Sequence, residues 1–436
     1  EKTGRFSGGV TVTLKIKWID DKDNRIVLPA PIGSDTGPMP RRVIVRFGLW
    51  RKEVEASIDG DWPPNTIGLS EAVRPPFDWP ESIPYETAVK GRELRIGPVI
   101  AFLAFRKKRQ MTIESLNEYK DYFANYGSVS GLVYICAADG IRPSDKTMEG
   151  YCYDPGAKHN ESPWKYGVFP YPDVVYRNIA LKEPVYDELI ATLGENMFNG
   201  YVFDRWEQWR WLSADPRLRG HLPYAEKLES LQNLDRLLSL YGPVELKPAN
   251  NRKARRFFKV ERSGEQYRFD DPAASETCLR TKEETSVFVQ RLTTKRDYVV
   301  QQAVPSNEGR SVHLNVIMRK NVSGCWECAG LFAGGGTSNG RDALKRAFRM
   351  NERELFLKTL EITDLCISAC KTVERCGGHY ADLGVDLVVD EHLKVWLSDI
   401  DPLPDYRRSL VSLKDKQTHL NLVTAPFEYA KRLAGF

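Results

Sequence analysis

The stretch Leu383 to Pro404, LGVDLVVDEHLKVWLSDIDPLP, sets two apolar runs on either side of a polar DEH, and both runs carry acids. Such a pattern predicts a β-hairpin with its turn near Asp390, Glu391 and His392. Neighbouring side chains of a strand point to opposite faces, so Asp399 and Asp401 share one face. Asp386 joins them if the loop has an even number of residues; an odd number puts it opposite unless a bulge intervenes. In the even register three carboxylates converge, and like charges so placed cost free energy unless a proton or a cation lies between them. An all-oxygen set suits Mg²⁺. The same acids also read as a solvated rim without an ion.

Upstream, Lys247 sits in the apolar run VELKP, where an unpaired ammonium would be costly. It calls for an anion, either a phosphate oxygen or one of the acids of the hairpin, unless it snorkels from an edge strand. The run NNRKARR follows, Asn250 to Arg256, with Arg252 and Arg255 available to hold phosphates or simply to solvate a surface.

The remaining chain supplies the frame. With 436 residues, 42% hydrophobic and 28% charged, it has the composition of a soluble multi-domain globular protein. Its 63 basic and 59 acidic residues leave a formal charge of +4, too small to argue for nucleic acid or an anionic membrane. The longest apolar run, near Gly97 to Phe105, falls well short of the roughly 20 residues that span a bilayer. The start at Glu1, without Met or a signal-peptide pattern, is that of a processed or trimmed chain. Eight irregularly spaced cysteines suit a reducing compartment. CWEC lacks a second pair for zinc, and Cys366, Cys370 and Cys376 share an apolar helical stripe with Leu355, Ile362, Ala369 and Val373, as buried structural residues do.

Short alternating runs such as VTVTLKIKW and RVIVRFGLW predict a β-rich domain over 1–95. A strand at LRIGPVIAFLAF, a helix from Thr112 to Tyr126 and a strand at GLVYICAAD open an α/β layer over 96–206. Helical periodicity runs through YAEKLESLQNLDRLLSLYG with a stop at Gly242, strands are expected at DYVVQQAVP and VHLNVIMRK, and a long helix runs from about Asn351 to Cys376.

The order of a KP strand and its loop, a QQ strand and an acid-bearing hairpin ending W-L-x-acid-x-x-P resembles the ATP-grasp fold. More narrowly the chain resembles the YheC/YheD family of endospore coat-associated ATP-grasp proteins, through IGPVIAFL, FPYPDVVYRNI, GYVFDRW, LPYAEKL, YGPVELKP, YVVQQAVP and the hairpin itself. The resemblance implies an α/β (α+β) protein: a β-rich N-terminal domain (1–95), a pre-ATP-grasp α/β domain (96–206) and an ATP-grasp domain of two subdomains (207–436). It implies ATP and Mg²⁺ as cofactors, with Lys247 on the phosphates, Gln301, Gln302 and Val304 at the adenine, and Asp386, Asp399 and Asp401 as metal ligands. The implied activity is an ATP-dependent carboxylate–amine ligase working through an acyl phosphate. The alternative is a non-catalytic relative serving a spore-coat or biosynthetic assembly, with a coat protein or a homologous ATP-grasp subunit as partner. The implied setting is the bacterial cytoplasm and the spore coat.

Several positions depart from the family pattern. Asn251, Ala254 and Arg256 stand where phosphate-cradling glycines are expected, His313 and Asn315 replace an Asp-x-Arg pair, and an expected arginine is missing near Leu331 and Phe332. Asn339 and Gly334 to Gly336 remain in an altered order, and Asp399 and Asp401 stand for Glu and Asn. These departures keep the non-catalytic alternative open beside the ligase.

Overall fold

Alternation sets the N-terminal architecture: along Thr13–Ile19 the residues Leu14 and Ile16 are buried while Lys15 and Lys17 face water. The computed structural model describes residues 13–29, 40–158, 160–250, 257–271, 276–304, 311–334, 338–406 and 416–436. Described strands from Thr13 to Gly97 close into a barrel, which leaves no free sheet edge. A six-stranded sheet follows. Its strand Val99–Phe105 is buried at every residue and runs parallel to Leu132–Arg142 and to Val174–Arg177, as a strand covered on both faces does.

The helix expected from Thr112 to Tyr126 is broken into Ile113–Asn117, a 3₁₀ turn at Lys120–Phe123 and a short turn at Tyr126–Val129. Tyr119, Tyr122, Phe123 and Tyr126 are buried at helical spacing. Aromatic, Asn and Asp residues have poor helix propensity, however, and do not sustain a continuous helix there.

Residues 1–200 with 417–436 make one compact unit and 201–416 a second. The second contains two antiparallel sheets. In the first of them, here the lysine sheet, Ala225–Lys227, Tyr298–Gln302, Val244–Pro248, Phe258–Ser263, Gln266–Asp271 and Glu276–Arg280 lie side by side. Helix Leu231–Tyr241 covers one of its faces, burying Leu234, Leu237 and Leu238 with Val244, Leu246 and Val300. That helix stops at Gly242, whose φ of 74° suits a residue without Cβ. The expected helix over Tyr224 to Leu228 is instead strand, because Ala225 to Lys227 pair with Val299 to Gln301.

The acid sheet has the order Ser338–Asn339, Trp326–Ala333, Val312–Lys320, Asp382–Val389, Val395–Asp401. Helix Glu352–Gly377, capped by Asn351, lays Leu355, Ile362, Cys366, Ala369, Cys370 and Val373 on it. Cys376, expected on that stripe, is exposed, since periodicity supplies no covering neighbour in the last turn.

The acid hairpin has five residues, 390–394, between Val389 and Val395, which are paired. That odd count alone would set Asp386 opposite Ser398. A bulge between Asp386 and Leu387 shifts the register so that Asp386 pairs with Asp399 and Gly384 with Asp401; all three acids therefore share a face. Asp390 ties the turn: its Oδ1 accepts from His392 N at 2.9 Å and Lys394 N at 3.0 Å, and its Oδ2 from Trp396 Nε1 at 2.8 Å.

Burial pushes the Asp390 carboxyl up, but the indole and the turn amides outweigh it and hold the carboxyl below the usual aspartate value. A carboxyl lowered on folding contributes stability that is fully present above its unfolded value and is lost as pH falls through the folded one. Asp390→Ala is expected to cost about 2–3 kcal/mol at neutral pH in urea unfolding, with the difference shrinking below about pH 4 as the wild-type carboxylate protonates.

Candidate functional site

Lys247 lies on the face of the lysine sheet opposite its apolar core, because Leu246 points inward and the strand alternates. Its ammonium reaches Glu245 Oε2 at 2.6 Å and Gln301 Oε1 at 3.1 Å. The anion that Lys247 calls for is thus supplied by its own strand. Gln301 pairs with Glu245 across the sheet and is buried on that same face. Gln302 pairs with Val244 and points to the other side, where its Oε1 accepts from Tyr224 N at 3.4 Å. Val304 is half-buried just beyond the strand. Arg252 and Arg255 lie outside the described residues.

The acids stand on the other sheet. Asn315 is paired with Asp386, and its Nδ2 donates to Asp386 Oδ1 at 2.8 Å. Asp401 Oδ1 accepts from Leu403 N at 2.9 Å. Asp399 has both oxygens engaged: Oδ1 accepts from Ile400 N at 3.0 Å and Oδ2 from Arg205 Nη2 at 2.9 Å. His313 is exposed, two residues before Asn315 on the same strand.

Arg205 is the residue that sequence reasoning passed over. The box Asp204-x-x-Glu207 caps helix Arg205–Ala214 and puts Arg205 at its first position, with its backbone N donating to Ala249 O at 3.1 Å. Its Nη1 donates to Pro248 O at 2.7 Å while Nη2 holds Asp399, so one side chain bridges the end of the lysine strand and the acid hairpin. Burial lowers its pKa, and the charges of Asp386, Asp401 and Glu245 oppose that. The motif GYVFDRW carried the signal; what the arginine touches is decided by tertiary packing. Beside it, Trp209, Ala225, Val299, Gln301 and Ser398 line a crevice between the two sheets.

A lysine and a glutamine on one sheet, carboxylates on the other and an arginine bonded to both are groups that suit an anionic ligand with a cation. A family model described as YheC/D like ATP-grasp matches residues 194–433. The chain belongs to the YheC/D-like ATP-grasp family. This family member has the mixed α/β architecture of an ATP-grasp protein. It is similar to the endospore coat-associated protein YheD of Bacillus subtilis (strain 168), with 24% identity over an alignment of 449 positions that covers 94% of each chain.

Among solved structures, this YheC/D-like chain is similar to the D-alanine-D-alanine ligase of Coxiella burnetii. The TM-score is 0.44 at 14% identity, over 77% of this chain and 96% of that one. It is also similar to a RimK domain ATP-grasp protein of Sphaerobacter thermophilus DSM 20745, with a TM-score of 0.41 at 15% identity, over 76% and 98%.

The donors Asp386, Asp399 and Asp401 are hard oxygen ligands of the type Mg²⁺ takes, and the register sets them side by side. Among the described residues, no group of three or more His, Cys, Asp or Glu side chains is gathered tightly enough to hold a metal ion. The cation already against Asp399 is a guanidinium. Because Asn315 and Asp386 are direct cross-strand partners, Asn315→Asp is expected to cost about 1 kcal/mol at neutral pH. Urea unfolding at pH 7 and pH 4 checks this, with the penalty fading as the carboxylates protonate.

Proposed function

We propose that this protein is an ATP-dependent carboxylate–amine ligase whose nucleotide lies in the crevice between the lysine sheet and the acid sheet. The observation that carries the reading is the Arg205 bridge, which brings the Lys247 wall and the acid hairpin to one place. In this reading Lys247 exchanges Glu245 for a phosphate oxygen, and Gln301 keeps its ammonium aimed into the crevice. The apolar walls Ala225 and Val299 and the backbone from Gln301 to Val304 face the base. The resemblance assigns Mg²⁺, which when bound offsets phosphate charge, to Asp386, Asp399 and Asp401; these are oxygen donors of the right kind, but among the described residues they are not gathered closely enough to hold an ion as they stand.

The reaction is a two-step exchange. A carboxylate oxygen of the substrate takes the γ-phosphoryl group and ADP leaves; an amine then attacks the acyl carbon and phosphate leaves, forming an amide. The relative's name places it at the endospore coat, and the proposed setting is a bacterial cell that builds a spore coat, with a coat protein or a homologous subunit as partner.

One observation favours a second reading. Asn315 spends its amide on Asp386 where the resemblance implies an arginine, so at this position an amide stands in place of a guanidinium for the charge that develops on a transferred phosphoryl group. A non-catalytic nucleotide-binding subunit would tolerate that loss.

Mg-ATP at millimolar concentration is expected to raise Tm by a few degrees, and Lys247→Ala to remove the shift. Hydroxylamine, offered with ATP and a panel of amino acids and short acidic peptides, is expected to trap an acyl phosphate as a hydroxamate. A wild-type protein whose Tm ignores Mg-ATP overturns nucleotide binding; a shift without hydroxamate or ADP selects the second reading.

A further inference from the structure

We propose that two copies of this chain associate through the outward face of helix Glu352–Gly377, packed antiparallel about a two-fold axis that passes between Leu357 and Leu360. The inference stands on that helix and is independent of the reading of the nucleotide crevice.

A helix laid on a sheet buries one stripe and gives its other side to water. This one buries Leu355, Ile362 and Cys366 against the acid sheet, yet its far side is apolar as well over the first turns. Phe356 and Leu357 are each 56% exposed, and Leu360 is 41% exposed. Residues three and four apart adjoin on a helix, so Leu360 lies beside both of the others. Single exposed apolar side chains are ordinary, whereas three large ones gathered in one place mark a contact surface.

The spacing points to the occupant. Arg353, Leu357, Leu360 and Asp364 follow one another at steps of four, three and four residues, the seam spacing at which one helix lies along another. Arg353 and Asp364 stand exposed at its two ends. A two-fold sets residue i against j and j against i. In the antiparallel pair Leu357 therefore meets Leu360 of the second copy, and Arg353 meets Asp364 of the second copy. A parallel pair would instead set arginine on arginine and aspartate on aspartate, so the end charges select the antiparallel arrangement. The face is thus complementary to itself, with an apolar centre and opposite charges at the ends. A seam three turns long runs about 16 Å and buries less than the roughly 1,200 Å² of a standard interface. The dimer is accordingly reversible, with a Kd of about 10–100 µM.

The test is sedimentation equilibrium of the full chain from about 1 to 300 µM, a range that brackets this Kd. Wild type is expected to pass from monomer to dimer across it; a monomer throughout overturns the proposal, whatever else covers the face. Leu357→Glu, at the centre of the seam, is expected to weaken association about tenfold or more. Its urea midpoint is expected to stay that of wild type, because this side chain is exposed in the single chain. Dimerisation that Leu357→Glu leaves unchanged overturns the proposal. Should that variant not fold, the end charges carry the test. Arg353→Asp and Asp364→Arg each place like charges at both ends of the pair, and each alone is expected to remain monomeric. Mixed in equal amounts they are expected to form a heterodimer, since opposite charges then meet at both ends. Failure of the mixture to associate more tightly than either variant alone overturns the proposal.

Discussion

Carboxylates crowded on one sheet face must be matched by positive charge, and in this protein Arg205 brings a guanidinium to them. Arg205 faces Asp386, Asp399, Asp401 and Glu245 while bonding directly to Asp399 and to the Pro248 carbonyl. The local architecture follows from that need. A helix cap aims the side chain, a bulge brings the acids to one face, and Asp390 locks the turn on which the bulge depends. Removing one partner of such a cluster leaves uncompensated charge, which is why its members are tied to backbone as well as to each other.

Much of this was legible before any coordinates. Alternating apolar residues located the hairpin and its turn, and the same rule put Asp399 and Asp401 together. Whether Asp386 joined them was not legible, because the parity of the turn and the presence of a bulge depend on backbone geometry that side-chain pattern does not encode. Lys247 was recognisable as a cation needing an anion, yet the anion proved to be Glu245 on its own strand. Gln301 and Gln302, adjacent in sequence, had to face opposite ways, and only pairing with the lysine strand showed which one turns toward Lys247. Arg205 was hidden for a different reason: its partners are 43 and 194 residues away.

The departures from the family pattern form a connected set. Where the resemblance implies an arginine, Asn315 gives Asp386 a neutral donor, so the acid face gains a hydrogen bond but no charge from that strand. Phe332, across from Asn315, is apolar and buried at a place where another arginine was expected. At these two positions the sheet carries an amide and a phenyl ring, while Arg205 reaches Asp399 from its helix.

The bulged hairpin also bears on how this segment can change over time. Turn length and bulge form a parity pair: an odd loop and one extra strand residue cancel, leaving the acids aligned. Straightening the bulge while keeping its residue would set Asp386 opposite Ser398, whereas losing Ser398 itself would carry the ladder directly from Leu387–Leu397 to Asp386–Asp399. The bulge is therefore the point at which related chains can lose a residue from this strand and still keep the acids face to face.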